Sequence, residues 1–164
     1  MSALFSPYRL GSPKGGLELT NRIVIAPMCQ YVSVNGQAQD WHLMHWGNLL
    51  NSGASMFTIE ATAVTPEGRI TPGCLGLWDD ATAAALDDKL QRARKLAPPV
   101  PICLQLSHAG RKASSAEPWN GGAQIALEQG GWKALAPSAL PHKEGELAPE
   151  AIDAAGLVDR KSTR

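Results

Sequence analysis

The stretch "MFTIEATAV", residues 56–64, predicts a buried β-strand, because branched and apolar residues fill most of its positions. A loop rich in glycine and proline follows, and then "DDATAAALDDKLQRARKLA" at 79–97 predicts a helix. Asp79 or Asp80 suits the N-cap of this helix, and basic residues gather near its end, as the helix dipole prefers. This part of the chain is therefore a strand followed by a helix.

The same order is found on both sides of this unit. Before it, an apolar run at 22–28 predicts a buried strand, and apolar residues at helical spacing over 40–52, followed by Gly53, predict a helix. After it, "VPICLQLSHAG" at 100–110 predicts a third strand. Strands that alternate with helices predict an α/β fold with right-handed βαβ units and a parallel sheet.

The segments outside these units are less regular. "YRLGSPKGGLELTNR" at 8–22 predicts a hairpin, because two short apolar stretches flank its glycines. Residues 111–149 show little periodicity and are too long for a simple connector, which is typical of a functional loop or lid. Pro149 in "PEAIDAAGLVD" predicts the first turn of another helix.

Composition limits the classes of function. The 164 residues include 15 Lys+Arg and 15 Asp+Glu, so no basic excess indicates a nucleic-acid partner. The three cysteines form no CxxC pattern, which argues against a disulfide framework or a zinc ribbon and favours a reducing cytoplasm. Neither a signal sequence nor a membrane-spanning apolar stretch is apparent. We therefore expect a cytoplasmic protein that acts on a small-molecule substrate, with no nucleic-acid or membrane partner.

The candidate chemistry lies where the predicted strands end. "PMCQY", "EATAV" and "QLSHAG" occupy these ends, and the carboxyl ends of parallel strands carry the sites of barrels and open sheets alike. Pro27 and Met28 offer an adaptable apolar surface. Cys29 is a weak donor, Gln105 both donates and accepts, and Tyr31 can donate a proton. Together these groups suit a planar heterocycle with alternating carbonyl and N–H groups, whereas no dinucleotide or P-loop motif follows any strand.

Each of these residues also has a purely structural alternative. On residue type alone, Cys29 is more often a simple buried thiol. Gln105 can serve only to satisfy the backbone of a neighbouring loop, and Tyr31 is balanced between packing and catalysis. Glu60 is expected to hold backbone or Arg69, which is favoured over a catalytic role.

Other polar and aromatic residues are not assigned to the site. His42 and His45 lie three positions apart on a predicted helix, a spacing that can present two metal ligands. Since no carboxylate or cysteine completes the pattern, we interpret both as structural and expect no metal site. His108 and Arg111 stay unassigned at the end of the third strand. The five tryptophans are scattered, so no stacking platform is predicted.

Three long motifs, in the same order, carry a resemblance to a known family. "NRIVIAPMCQY", "EATAVTPEGRITPG" with "LGLWDD", and "QLSHAGRKAS" resemble successive blocks of the old yellow enzyme family, the FMN-dependent ene-reductases. The resemblance is closest to the bacterial, thermophilic-like branch that includes xenobiotic reductase A. It implies a (β/α)8 TIM barrel of the FMN-linked oxidoreductase type, with FMN at the C-terminal mouth and NADH or NADPH as reductant. The implied activity is reduction of the activated C=C bonds of enones and related electrophiles, and the intact enzyme is expected to be a homo-oligomer.

The resemblance also implies roles for individual residues. The residues expected to line or bind the flavin are Ala26, Pro27, Met28, Cys29, Ala61 and Gln105. The Cys29 thiol is expected near the reactive edge of the ring, where it tunes the flavin rather than attacking substrate. Gln105 is expected to hydrogen-bond the pyrimidine edge, and Tyr31, the expected catalytic residue, to meet the substrate and assist its protonation.

Chain length sets the main alternative. A complete (β/α)8 barrel needs about 250 residues, so residues 1–164 are interpreted as the N-terminal part of one FMN-binding barrel domain, truncated after about three β/α units. The family pattern is lost over 156–164. Two hypotheses stay open. The chain is either part of an active ene-reductase or a non-catalytic remnant that cannot hold FMN alone.

Overall fold

An antiparallel hairpin begins the chain, as the sequence predicts. The computed structural model describes residues 2–12, 15–154 and 156. Within them, strands β1 (Tyr8–Leu10) and β2 (Leu17–Leu19) pair along their whole length.

A parallel sheet forms the centre of the molecule. Its strands are β3 (Val24–Ile25), β4 (Met56–Ala63), β5 (Leu75–Gly76) and β6 (Ile102–Ser107). Strand β4 pairs with each of the other three, β3 at its beginning, β5 at its end and β6 along most of its length. Because all four strands run in the same direction, their carboxyl ends lie at one edge of the sheet.

A β-bulge interrupts β4 where it pairs with β6. The register shifts between Ile59 and Thr62. Two residues of β4, Glu60 and Ala61, thereby lie opposite a single residue of β6, Gln105. Bulges redirect side chains that would otherwise alternate between the two faces. Ile59 and Glu60 are accordingly both buried although they are neighbours in the strand.

Two helices pack on one face of this sheet. Helix α1 (Asp40–Leu50) and helix α2 (Asp80–Lys95) each end within two residues of the bounds predicted from sequence. Asp79 is the N-cap of α2, since its Oδ1 accepts a hydrogen bond from the backbone N–H of Thr82 at 2.7 Å. None of the helices in the described part of the chain has the length and apolar character needed to span a bilayer.

The hydrophobic core lies between these helices and the sheet. Trp46 and Leu50 of α1 pack there with Phe57 and Ile59 of β4 and Leu75 of β5, all of them at most 2% exposed. The opposite face of the sheet has no such cover from α1 or α2. The core therefore holds the strands together from one side only.

The first parallel strand is shorter and more exposed than predicted. Strand β3 has two residues, and Val24 is 44% exposed, so the expectation of a buried strand over 22–28 is wrong in both extent and burial. Pro27 has no N–H to donate to a ladder. The backbone N–H of Gln30 instead donates to Glu60, which draws the chain away from the sheet.

The long segment that follows β6 contains turns and a small sheet. Strands β7 (Leu135–Ala136) and β8 (Glu150–Ala151) pair in parallel. The helix predicted to start at Pro149 is therefore wrong in its first turn, because pairing with β7 outweighs the local signal; helical backbone begins only at Ala154. The predicted loss of the family pattern over 156–164 lies outside the described residues except at Gly156.

Short turns of 3-10 helix complete the described structure. They are Ala3–Phe5, Pro66–Gly68, Gly110–Lys112, Pro118–Asn120 and Leu127–Gln129. Three of the five lie after β6, in the region where the sequence shows no periodicity.

Candidate functional site

The carboxyl ends of β3 and β4 form a compact cluster of polar groups. The Tyr31 hydroxyl and the backbone of Ala61 both lie close enough to the Cys29 thiol to influence its pKa. Glu60 joins the cluster because its Oε2 accepts a hydrogen bond from the backbone N–H of Gln30 at 3.1 Å. Three of the residues singled out from sequence, Cys29, Tyr31 and Ala61, are thus brought together.

The surroundings of this cluster keep the thiol and the phenol protonated. Burial raises the pKa of Cys29 to about 11, and the nearby Glu60 and Cys74 add to the rise. Burial also raises the pKa of Tyr31 to about 12, with Cys29 as the next cause. A neutral thiol is a poor nucleophile, because the thiolate is the reactive form. The phenol keeps a proton that it can donate.

The backbone of Tyr31 adopts a conformation that is uncommon for a residue with a side chain. Its φ of 56° lies in the left-handed region. Gly73 packs directly against it, since a Cβ on Gly73 would overlap the carbonyl oxygen of Tyr31. The Ser33 N–H donates to the Gly73 carbonyl at 3.0 Å, and the Ser33 hydroxyl donates to the Cys74 carbonyl. These contacts hold the tyrosine in place despite the cost of its backbone conformation.

The long segment after β6 contacts this cluster through Trp119. Trp119 meets the ring of Tyr31 edge-on, with ring centroids 5.7 Å apart, and is itself 66% exposed. Arg69 lies over the rings of Trp78 and Trp132, at 5.6 and 4.8 Å from their centroids. Sequence reasoning missed these contacts, because the partners are far apart in the chain and no local pattern joins them.

The remaining residues expected at the site border the cluster and are accessible. Ala26 and Met28 are exposed, the latter by 67%, and Pro27 between them is partly buried. Gln105 is exposed on β6 opposite the bulge. Within residues 2–12, 15–154 and 156, its amide makes no hydrogen bond, so the donors and the acceptor of Gln105 are available. The alternative in which Gln105 satisfies a neighbouring loop therefore finds no support in the described structure.

A buried pair of titratable residues lies behind the cluster. Glu60 and His42 of α1 are 2% and 0% exposed, and Glu60 Oε1 is 3.7 Å from His42 Nε2, too far for a direct hydrogen bond. His42 Nδ1 accepts a hydrogen bond from the backbone N–H of Gln39 at 2.9 Å, so the proton of the neutral ring is on Nε2. Burial raises the pKa of Glu60 to about 7 and lowers the pKa of His42 to about 4.

The other polar residues have structural partners. Glu60 holds backbone, one of the expected roles, whereas the Nε and Nη1 groups of Arg69 donate to the carbonyls of Pro66 and Pro72. His42 closes the first turn of α1, which supports its structural interpretation. Arg111 donates to the hydroxyl of Ser138 at 3.1 Å.

His108 and His45 lie near the cluster without joining it. His108 Nδ1 accepts from the backbone N–H of Gly110 at 3.1 Å, and burial lowers the pKa of the partly buried His45. Across the described parts of the chain, no three His, Cys, Asp or Glu side chains are grouped so that they could hold a metal ion.

Sequence comparison connects this arrangement to known proteins. The model of the NADH:flavin oxidoreductase / NADH oxidase family matches residues 3–152. An NADH:flavin oxidoreductase from Gibberella zeae is 43% identical over 133 residues, which cover 79% of this chain and 32% of that protein. The chain thus spans about a third of the length of this curated relative.

Solved structures have the same fold. Morphinone reductase superposes with a TM-score of 0.72 at 25% identity, over 96% of this chain and 41% of its own. Old Yellow Enzyme from a Pichia species superposes with a TM-score of 0.71 at 22% identity, over 96% of this chain and 39% of its own. The hairpin, the parallel strands and the two helices are therefore part of a (β/α)8 TIM barrel, as predicted. By its sequence match, the chain belongs to the NADH:flavin oxidoreductase / NADH oxidase family, which confirms its resemblance to the old yellow enzymes.

Proposed function

We propose that this chain is part of an FMN-dependent NAD(P)H oxidoreductase that reduces the activated C=C bonds of enones and related electrophiles. Family membership supports a flavin-dependent oxidoreductase. The observation that carries the proposal is the cluster of Cys29, Tyr31 and Ala61 at the carboxyl edge of the parallel sheet, next to exposed apolar and amide groups.

The groups around the cluster fit FMN. Ala26 and Met28 offer an exposed apolar surface for a planar ring, and the small side chain of Ala61 is only partly buried on β4. The free amide of Gln105 matches the alternating carbonyl and N–H groups of a pyrimidine edge. When bound, FMN supplies a carrier that accepts hydride from a nicotinamide and passes it to the substrate.

In this proposal Cys29 tunes the flavin and does not attack the substrate. A thiol with a pKa near 11 is almost entirely neutral at physiological pH, and the neighbouring Tyr31 phenol is itself protonated. Covalent catalysis would require an adjacent base that lowers the pKa of the thiol. Cys29 therefore acts as a polarizable hydrogen-bonding neighbour of the ring.

Tyr31 is the proposed proton donor. Its phenol stays protonated, and its position is fixed by the Cys29 thiol, by the packing of Gly73 and by the ring of Trp119. A positioned acid is needed when hydride addition to a C=C bond leaves a carbon that must take up a proton. NADH or NADPH as reductant, a homo-oligomeric enzyme and a cytoplasmic location belong to the same proposal.

The test compares the longest translation product of the gene that contains this sequence with its Tyr31→Phe and Cys29→Ala variants. We expect flavin absorbance bands, and NADPH oxidation that depends on cyclohexenone. Tyr31→Phe should slow the oxidative half-reaction more than reduction by NADPH in stopped-flow measurements. Cys29→Ala should leave turnover measurable while it shifts the flavin potential. A folded product that takes up no FMN would refute the proposal.

A second candidate is favoured by the bare face of the sheet. Val24 is 44% exposed there, and the residues singled out for FMN all lie on or directly after three neighbouring strands, β3, β4 and β6. The 164-residue chain would then be a remnant that cannot hold FMN alone. Titration of FMN into the purified chain, followed by quenching of flavin fluorescence, distinguishes the two, because a Gln105→Leu variant should weaken binding only if the chain has a flavin site.

A further inference from the structure

The least explained feature of the structure is a carboxyl group buried beside the thiol cluster. Glu60 is 2% exposed and lies at the β-bulge, where β4 breaks its alternation. Burial of an ionisable side chain is unfavourable unless it has partners. One carboxylate oxygen has such a partner in the backbone N–H of Gln30. The other oxygen, Oε1, is buried without a hydrogen bond within the described structure.

The contact with Gln30 places the carboxylate next to the thiol. Gln30 directly follows Cys29 in the chain, and Ala61, whose backbone lies close to the thiol, directly follows Glu60. The two segments are thus joined by a pair of neighbouring contacts, one to a backbone N–H and one to a thiol. A negative charge at this place disfavours a second negative charge on sulfur.

Glu60 also faces His42 of helix α1. The imidazole Nε2 carries the ring proton and lies 3.7 Å from Oε1, and neither atom has a hydrogen bond in the described residues. The titratable groups around Glu60 are His42 on α1, with His45 one turn on, and Cys29, Tyr31 and Cys74 on the loops. Within this set, Glu60 is the one group that carries a negative charge above neutral pH.

We propose that Glu60 is a positioning residue: its carboxylate fixes the Cys29–Tyr31 segment through the backbone N–H of Gln30, and its charge adds to the burial that keeps the Cys29 thiol neutral. The importance of this role for a flavin rests on the proposed function, but the effect on the thiol does not. Sequence reasoning expected Glu60 to hold backbone but did not predict its effect on the thiol, because strand position alone does not show that a bulge lies at Glu60.

The test measures the alkylation of Cys29 by iodoacetamide between pH 6.5 and 9.5, with peptide mass spectrometry and without FMN or NADPH. Glu60→Gln keeps an oxygen that can accept from Gln30 and removes the charge. We expect Cys29 to react roughly 3- to 10-fold faster at pH 8.5 in this variant than in the wild type. At pH 6.5, where Glu60 is largely protonated in the wild type, the two rates should be similar. Exposed Cys103 is the internal reference.

The pH dependence separates the charge effect from a loosened structure. Loosening would raise the Cys29 rate by the same factor at every pH, and that result, or an unchanged rate, would overturn the proposal. Glu128→Gln, an exposed carboxyl far along the chain, is the matched control and should leave the profile unchanged. Since no cofactor is present, failure here is distinct from failure to bind FMN.

A second variant decides the case in which Glu60→Gln disturbs the fold. Cys74 is 1% exposed and should stay unreactive in folded protein. If Cys74 reacts in Glu60→Gln, that variant is disturbed and Glu60→Asp is used instead. Aspartate keeps the charge but is shorter by one methylene group. In Glu60→Asp, the alkylation rate of Cys29 is expected to depend on pH as it does in the wild type. Loss of that dependence would contradict a role for the charge.

Discussion

The two faces of the parallel sheet differ in how they are covered and in what they carry. On the face beneath α1 and α2, Phe57 and Ile59 are at most 2% exposed. On the other face, Val24 is 44% exposed and borders an open apolar cavity of about 220 Å³ beneath the hairpin. The covered face supplies packing energy. The carboxyl edge of the sheet carries the groups that we propose bind a ligand.

Glu60 is the exception to this division between the two faces. The bulge in β4 places a carboxyl among buried side chains, between His42 behind it and the thiol cluster in front of it. The packed face and the proposed site are therefore separate along most of the sheet and meet at Glu60. The predictions below test each side of this division and then the place where the sides meet.

The largest expected effect is on the covered face. Ile59→Ala should lower the free energy of unfolding by about 3 to 4 kcal/mol, because it leaves a cavity under the helices. The matched change on the bare face, Val24→Ala, should cost less than about 1 kcal/mol, since the side chain keeps much of its contact with water. Urea denaturation followed by tryptophan fluorescence measures both.

Equal losses for the two variants would break the comparison. Val24 would then be buried in solution against another surface, and sedimentation velocity would detect the self-association that covers it. A loss confined to Ile59→Ala keeps the two faces distinct.

The next effect concerns pH and the buried pair. Glu60 has a folded pKa of about 7, above its ordinary value of 4.5, so its contribution to stability is lost as the pH rises from about 4.5 to 7. His42 has a folded pKa of about 4, below its ordinary 6.5, so its contribution is lost as the pH falls from about 6.5 to 4. Each shift corresponds to about 3 kcal/mol. The pH dependences of stability caused by Glu60 and by His42 therefore oppose each other between about pH 4.5 and 6.5.

Removal of the Glu60 carboxyl should reveal the pH dependence of stability that His42 causes. In Glu60→Gln, the free energy of unfolding should rise by about 3 kcal/mol between pH 4 and pH 6.5, whereas the wild type changes little over the same window. His45 acts in the same direction as His42, since burial lowers its pKa too. Urea denaturation at pH 4, 5.5, 6.5 and 7.5 measures the slope. A flat profile in Glu60→Gln would mean that His42 titrates normally.

How far the sequence predicts this molecule depends on the range of the interactions. Both helices follow from local apolar spacing and from the cap at Asp79, and the hairpin follows from its glycines. Strand β5 was missed, because two residues in a loop rich in glycine and proline carry no periodic signal. Its position is set by pairing with the end of β4.

The candidate site shows the same limit. That Cys29, Tyr31 and Ala61 lie together follows from strand direction, because each comes at the end of a predicted parallel strand. The contact of Tyr31 with Trp119 and the approach of Glu60 to His42 do not follow from any local pattern. Both depend on features that only the folded chain shows, a turn in the long segment after β6 and a bulge in β4.

A smaller effect is expected where the site packs on its neighbouring loop. Gly73→Ala should cost about 2 kcal/mol, because the new methyl group would overlap the carbonyl oxygen of Tyr31 and force the loop after β3 to move. Thermal unfolding measures the loss. An unchanged melting temperature would show that the loop yields freely and that the conformation of Tyr31 is not held by this contact.

The smallest expected effect has the opposite sign and lies in α1, on the covered side. Gly47 is in the interior of this helix, and a Cβ placed on it would meet no atom within 4 Å. Gly47→Ala should therefore stabilise the protein by about 0.5 to 1 kcal/mol, since alanine restricts the unfolded chain and favours helix at no steric cost. The variant is the control for Gly73→Ala, because both add one methyl group to a glycine. If Gly47→Ala destabilised the protein instead, something in solution would have to pack against the outer surface of α1, and the helix would not be the outer layer of the fold.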